Sequence, residues 1–459
     1  MPQPAATEAA PRSPGRAARP RAALAVTAAA TAVALMNYTA PMLTLPDMAA
    51  AFATPASAQA WLLNGTPLGL AVLLLVAGSL ADAHGRRRIF LLGTLTLGLT
   101  TALGALAGST LTFTAARIAQ GAASAAVLAG SLGLLAHAYP AGRDRIRATG
   151  IWGASVSGGI ALGPLLAGAL SLADWRLAYG VLGAAALTTA AVGARTLTAD
   201  EPAPERSRSR PDITGAVALG LALAALLTAL TLGRDGWLRA PVGLLLLGSA
   251  ALTALFVVVE HRSRAPMVDL ALLRRPAFLA STLGALFTGL AVIGLFSVVP
   301  ALLQGGAGMS PLGAASLFLL WSGTAFMAAL QARRLAGRLS AAYQLALGFA
   351  LSAAGVLALL GGLEGPWPRL LPGLVVAGVG SGLLNAALPR LAVDSVPPER
   401  AAMGSGANNT ARYIGSSAGV ALTLALVPAG PDTALLVSAG LALTGAALTL
   451  VLGGWRREG

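Results

Sequence analysis

From residue 24 to residue 453 the chain alternates long apolar runs with short polar breaks, and each run has the roughly 20 residues a helix needs to cross a bilayer. The runs fall near 24–46, 60–81, 89–108, 111–136, 147–170 and 176–195, then near 212–232, 240–260, 277–303, 311–331, 340–362, 369–392, 402–427 and 433–453. This pattern predicts an all-α membrane protein of about 14 transmembrane helices. An even number of crossings places both termini on one side.

Two polar stretches punctuate the pattern. Residues 1–21 are rich in Pro, Ala and Arg and predict a disordered basic tail. The apolar run after them is too long for a signal-peptide core and is expected to be retained as the first helix. TADEPAPERSRSRPD, after the sixth run, reads as a cytoplasmic linker over 196–211. It separates a six-helix bundle at 22–195 from a second at 261–453, with an inserted helix pair at 212–260 and a short cytoplasmic tail at 454–459.

Of 459 residues, 56% are hydrophobic and 10% charged, which fits a polytopic membrane protein rather than a soluble multidomain enzyme. The absence of cysteine excludes disulfides, thiolate catalysis and most zinc or iron–sulfur sites. No metal or cofactor is expected. A net charge of +14 raises nucleic acid as a partner, but placement decides against it. All 31 basic residues are arginines, and with the N-terminus inside, 25 of them fall in inward segments. Only Arg176, Arg234, Arg239 and Arg369 fall in outward loops, while Arg117 and Arg412 lie within runs. This positive-inside distribution predicts cytoplasmic termini in the plasma membrane, with the basic charge serving topology and lipid contact.

Two stretches carry more than hydropathy. In GSLADAHGRRR, residues 78–88, Gly78 and Gly85 are expected to permit close backbone approach. Asp82 is expected to face the positive end of a neighbouring helix, and Arg86, Arg87 and Arg88 to stay at the surface. Topology explains these arginines but not the Gly-x-Leu-Ala-Asp-x-x-Gly-Arg-Arg spacing. GIWGASVSGGIALGPLLAGAL, residues 150–170, accepts roughly 1 kcal/mol per helical glycine and about 3 for an interior proline. Packing must therefore hold it. Small residues at Gly150, Gly159, Gly163 and Gly168 would let helices approach closely, the expected partner being a helix of the opposite bundle, and Pro164 would bend the span.

The 78–88 stretch resembles the loop signature of the major facilitator superfamily. RIAQGAASAA, from Arg117, is similar to that superfamily's fourth-helix motif through Arg117, Gln120 and Gly121. The 150–170 stretch is similar to its fifth-helix antiporter motif, with alanine for one glycine. The number of runs, Trp61 opening the second and PMVDLALLRRPAF before the ninth resemble the 14-helix drug:proton antiporter branch. The resemblance implies the major facilitator fold, two six-helix bundles around a midplane site, working by alternating access. It implies a cytoplasmic gate at Gly78, Asp82, Gly85 and Arg86, and a substrate or proton route near Arg117 and Gln120.

The first run departs from that branch. Where an aspartate usually stands two residues before a threonine, MNYTAPMLTLP has Asn37, with Thr39 in register. WLLNGTPLGLA likewise carries Asn64, Thr66 and Pro67 where a threonine and a tyrosine would be usual. The 17 carboxylates and three histidines fall at run ends or in breaks, and Asp47 comes closest to the cavity. Arg117 and Arg412 stay inside runs although an intramembrane charge costs about 2.5–3.5 kcal/mol. Arg117 either ties helices together through carbonyls or Gln120, or serves transport. Arg412 either snorkels toward the inner surface or reaches the cavity. Tyr38, Asn64, Trp321, Asn385, Asn408 and Asn409 complete the candidate cavity, each also readable as a helix-packing contact. A cationic cavity without buried acid favours anionic or neutral amphipathic substrates.

The expectation is a monomeric secondary transporter that exports a hydrophobic or amphipathic small molecule such as a drug, antibiotic or secondary metabolite. The resemblance implies proton antiport. The missing carboxylate favours the alternative, a potential-driven or uniport exporter of an anionic or neutral metabolite. A membrane-embedded enzyme would need a buried His, Asp or Cys, and none stands within a run. Asn-x-Thr matches at 37, 64 and 408 lie inside runs, and GVGSG at 378–382 follows no strand, so neither glycosylation nor a nucleotide loop is read from them.

Overall fold

The computed structural model describes residues 20–139, 143–198, 213–233, 236, 238–263, 270–335, 339–397 and 401–454. Among these, every regular element is a helix. Eleven described helices are long and apolar enough to cross a membrane, and shorter apolar helices at Gln59–Leu74, Val217–Gly233 and Ala341–Leu357 supply the remaining expected crossings. The chain is a multi-pass membrane protein.

The first crossing is broken by proline. Helix α1 (Pro20–Thr39) runs into α2 (Pro41–Ala51) through Ala40, which keeps helical angles of φ −51° and ψ −42°. The Ala40 N–H still reaches Met36 O at 2.9 Å. Pro41 has no N–H, and its ring crowds the carbonyl four residues back. That carbonyl belongs to Asn37.

Helices α3 (Gln59–His84), α4 (Arg86–Ala105), α5 (Thr110–Ala138), α6 (Arg143–Leu170) and α7 (Arg176–Thr196) complete the first bundle. There α5 packs between α3 and α4, and α1 lies against α5, α6 and α7. Helices α8 (Ile213–Gly233) and α9 (Ala240–Arg262) pair with each other. The ninth crossing comprises α10 (Pro276–Phe287), a π-helical turn at Thr288–Ile293, α11 (Gly294–Phe296) and α12 (Val299–Gly305). Helices α13 (Pro311–Leu335), α14 (Ala341–Leu357), α15 (Leu370–Asp394), α16 (Ala401–Leu426) and α17 (Pro431–Gly454) finish the second bundle. On the ninth crossing, Gly289 abuts α16 at Arg412, Gly415 and Ser416, and Gly294 abuts it at Gly419. Helix α8 leans on both α3 and α16, so the inserted pair sits beside the junction of the bundles.

The antiporter-like stretch corrects one expectation. Gly159 and Gly163 face α1 of their own bundle, where a Cβ would press on Ala32 and Leu35 or on Met36 and Thr39. Only Gly168 meets the opposite bundle; a Cβ there would stand 2.9 Å from Ala315 Cβ and from Pro311 O on α13. Helix α6 is about 42 Å long, so one end reaches a partner that the middle does not. Gly150 is half-buried.

The 78–88 stretch corrects another. A Cβ on Gly78 would meet nothing within 4 Å, so no close approach requires glycine there. Gly85 is needed for its backbone: φ +97° lets the chain reverse between α3 and α4 while its N–H closes α3 on Ala81 O at 3.1 Å. Arg86 is exposed and donates to Gly133 O at 3.3 Å. Arg87 donates to Ala194 O and Leu197 O at 2.8 and 3.1 Å, at the negative end of α7. The side chain of Asp82 lies outside the described residues.

Candidate functional site at the junction of the bundles

Arg117 is a fully buried side chain on α5. Gly65 on α3 makes room for it, since a Cβ there would stand 2.5 Å from Arg117 Cβ. The guanidinium then reaches α1. Its Nη1 donates to Asn37 O at 2.7 Å, to Asn37 Oδ1 at 2.8 Å and to Gln120 Oε1 at 2.7 Å, while Nη2 points to Tyr38 O at 3.4 Å. The proline kink explains the first contact, because Arg117 supplies the donor that Pro41 cannot. Asn37 Nδ2 donates to Thr101 Oγ1 at 2.6 Å, and Thr101 donates to Leu97 O. Gln120 Nε2 donates to Thr100 O at 3.1 Å, and Thr66 donates to Arg117 O at 3.2 Å. One cation thus joins α1, α3, α4 and α5 with no carboxylate among its hydrogen-bond partners.

Asp47 stands apart from this network. It sits on α2 ten residues beyond Asn37, about 15 Å along the helix. Burial, and then the nearby Asp174 carboxylate, push its pKa above the ordinary aspartate value.

A second group of contacts crosses between bundles. Tyr38 OH pairs with Ser416 Oγ at 3.1 Å, and its ring stands edge-on to Tyr413 with centroids 5.9 Å apart. Asn64 Nδ2 donates to Ser417 O at 3.1 Å and toward Thr231 Oγ1 at 3.4 Å, joining α3, α16 and α8. Gln304 Nε2 donates to Leu43 O at 3.0 Å. With the Gly168 contact, these fasten the bundles from the midplane to the end opposite Arg86 and Arg87.

Toward the arginine-rich end the packing loosens. Ser405, Asn409, Arg412 and Ser416 recur on one face of α16, the face that meets Tyr38, and the first three are only half-buried. Arg412 Nη2 donates to Asn409 Oδ1 at 2.8 Å, and its Cζ stands 5.4 Å from the Tyr413 ring centroid. Its side chain folds along α16 toward Asn409.

The other candidates are dispersed. Asn408 turns to α10 and donates to Ser281 O and Oγ, both at 2.9 Å. Trp321 lies in the core of the second bundle, stacked on Phe296 at 4.3 Å. Asn385 continues the α13-facing stripe of Gly378 and Gly382 into an exposed position. Sequence reasoning missed Pro41, Thr101, Ser416, Ser417, Thr231 and Gln304. Only Pro41 left a signal, four residues after Asn37.

Residues 27–420 match the model of the Major Facilitator Superfamily. The chain belongs to that superfamily. Among relatives of this major facilitator protein is multidrug resistance protein Stp of Mycobacterium tuberculosis, 33% identical over 82% of this chain and 70% of the relative. The probable actinorhodin transporter of Streptomyces coelicolor is 32% identical over 88% and 72% of the two chains. Puromycin resistance protein pur8 of Streptomyces alboniger is 32% identical over 91% and 83%. The POT family transporter PepTSo shares the fold, with a TM-score of 0.70 and 14% identity over 96% of this chain and 99% of that structure. This major facilitator protein is a membrane transporter of small molecules.

Proposed function

We propose that this transporter exports hydrophobic or amphipathic small molecules of the antibiotic or secondary-metabolite kind across the plasma membrane by alternating access, as a monomer. The observation that carries the reading is its similarity to drug and antibiotic resistance transporters over most of both chains. The positive-inside distribution assigns the arginine-rich end to the cytoplasm. With that assignment, the contacts from Tyr38 to Gly168 close the outer half, the loading state of an exporter. Gly78, Asp82, Gly85 and Arg86 would serve the cytoplasmic gate, and Gly150, Gly159, Gly163, Pro164 and Gly168 the packing of α6.

Two coupling schemes remain in play. Resemblance supports proton antiport. The Asn37 amide on Arg117 supports the second, export driven by membrane potential or by the substrate gradient, because an amide at that position holds no exchangeable carboxyl proton. Reconstituted vesicles carrying the full chain, with a pH gradient alone or a potassium-diffusion potential alone, separate them. Acceleration by the pH gradient alone establishes antiport; acceleration by potential alone rejects it. A cell panel including puromycin and quinone antibiotics tests export itself: unchanged susceptibility across the panel on expression would reject the drug-efflux reading.

A further inference from the structure

Arg117 and Arg412 differ in a way that composition hides. Arg117 is sealed in and surrounded by acceptors. Arg412 has one hydrogen bond, to Asn409; the Nε of each arginine is buried without a partner, so the two differ in how far their Nη groups are engaged. Among the described residues Arg412 makes no ion pair.

Its position sets it well inside the crossing. Arg412 lies eleven residues into α16, about 16 Å from the helix start. An unpaired cation at that depth is costly unless it faces water or a counter-charge. It stands on the α16 face that meets the opposite bundle and is only half-buried, so it borders the space between the bundles. Tyr413 and Tyr38 supply an aromatic wall beside it. Behind it, the π-helical turn presses Gly289 against the Arg412 carbonyl and the Ser416 nitrogen, which fixes the height of the guanidinium. π turns of this kind are frequent at functional sites.

We propose that Arg412, aimed by Asn409 and flanked by Tyr38 and Tyr413, is the anion-binding arm of the substrate site, taking the carboxylate, sulfonate or phenolate of an aromatic amphiphile. This rests on the export reading above and adds the charge of the cargo. Arg117 stands apart from this arm, its Nη1 already engaged by Asn37 and Gln120.

The test uses the full chain in phosphatidylcholine vesicles, which offer no anionic lipid, with two fluorescent probes: anilinonaphthalene sulfonate as the anion and ethidium as the cation. Arg412→Gln lowers the anion-to-cation transport ratio by about tenfold or more, the range expected for a lost charged hydrogen bond. Arg412→Lys retains most of the ratio, and Asn409→Ala, which keeps the charge but loses its aim, lowers it about threefold. If Arg412→Gln does not insert, the Asn409→Ala result alone decides. An unchanged ratio overturns the anion site. Wild-type protein that moves ethidium but not the sulfonate also overturns it while leaving export standing; wild-type protein that moves neither overturns both.

Discussion

Arg117 holds Asn37 by both of its oxygens: Nη1 donates to the backbone carbonyl at 2.7 Å and to the side-chain Oδ1 at 2.8 Å. The first bond repairs the gap that Pro41 opens in the helix. The second falls on the side chain at which the resemblance leads one to expect an aspartate. The structural tie thus runs through the same guanidinium to which the resemblance points for a transport role, and one substitution tests both.

Arg117→Ala leaves the Asn37 carbonyl and Gln120 Oε1 without their donor. The expected loss is about 1–3 kcal/mol, seen as a lower thermal midpoint in detergent, with transport abolished. Arg117→Lys keeps the charge but reaches fewer acceptors, so its midpoint falls between the two. Normal transport by a properly inserted Arg117→Ala protein would overturn a functional role.

Asn37→Asp restores a titratable group against Arg117. The variant is expected to respond more strongly than wild type to a pH gradient in reconstituted vesicles. Because Thr101 Oγ1 now accepts from Asn37 Nδ2 at 2.6 Å, the hydroxyl must turn to donate to the new carboxylate instead of to Leu97 O. A variant with the same gradient response as wild type would place coupling elsewhere.

Tyr38→Phe removes the hydroxyl that pairs with Ser416 across the bundles. A neutral hydrogen bond contributes about 1 kcal/mol, so the closed-outside population should fall roughly fivefold relative to the opposite state. Spin labels across the outer end of α2 and α12 would read the change as a longer distance.

Gly85→Ala forces a side chain into φ +97° and is expected to cost about 1–3 kcal/mol of thermal stability. Gly78→Ala, seven residues earlier and inside α3, enters open space and should raise thermal stability slightly, by up to about 1 kcal/mol. Equal effects would show that spacing, rather than backbone angle, governs this turn.

The crossings were legible because each is written continuously along the chain. The sixth run, 176–195, became Arg176–Thr196, and the eighth, 240–260, became Ala240–Arg262. What hydropathy conceals is irregularity inside an apolar run: the break at Pro41 and the π turn at Thr288–Ile293 both fall in segments that read as uniform helix. The site was legible as a set of residues and not as an arrangement. Arg117 meets Asn37 across 80 residues and Tyr38 meets Ser416 across 378. No local pattern records which faces those helices turn to each other, so the sequence does not separate Asn408, which turns to α10, from Arg412 on the face toward the opposite bundle.

The π turn resolves a mismatch of counting. Gly289 and Gly294 are five residues apart, while Gly415 and Gly419, the glycines they abut, are four apart. On a regular helix five residues overshoot a full turn by about 140°, and the two glycines would point different ways. The wider i to i+5 turn takes up the odd residue. It works as a vernier does, bringing two unequal scales into coincidence at two marks. The length of the ninth crossing is consequently not free to grow: one residue added between the marks would break the coincidence and release α16 from the height at which it carries Arg412, whereas one residue deleted would set four against four and dispense with the π turn.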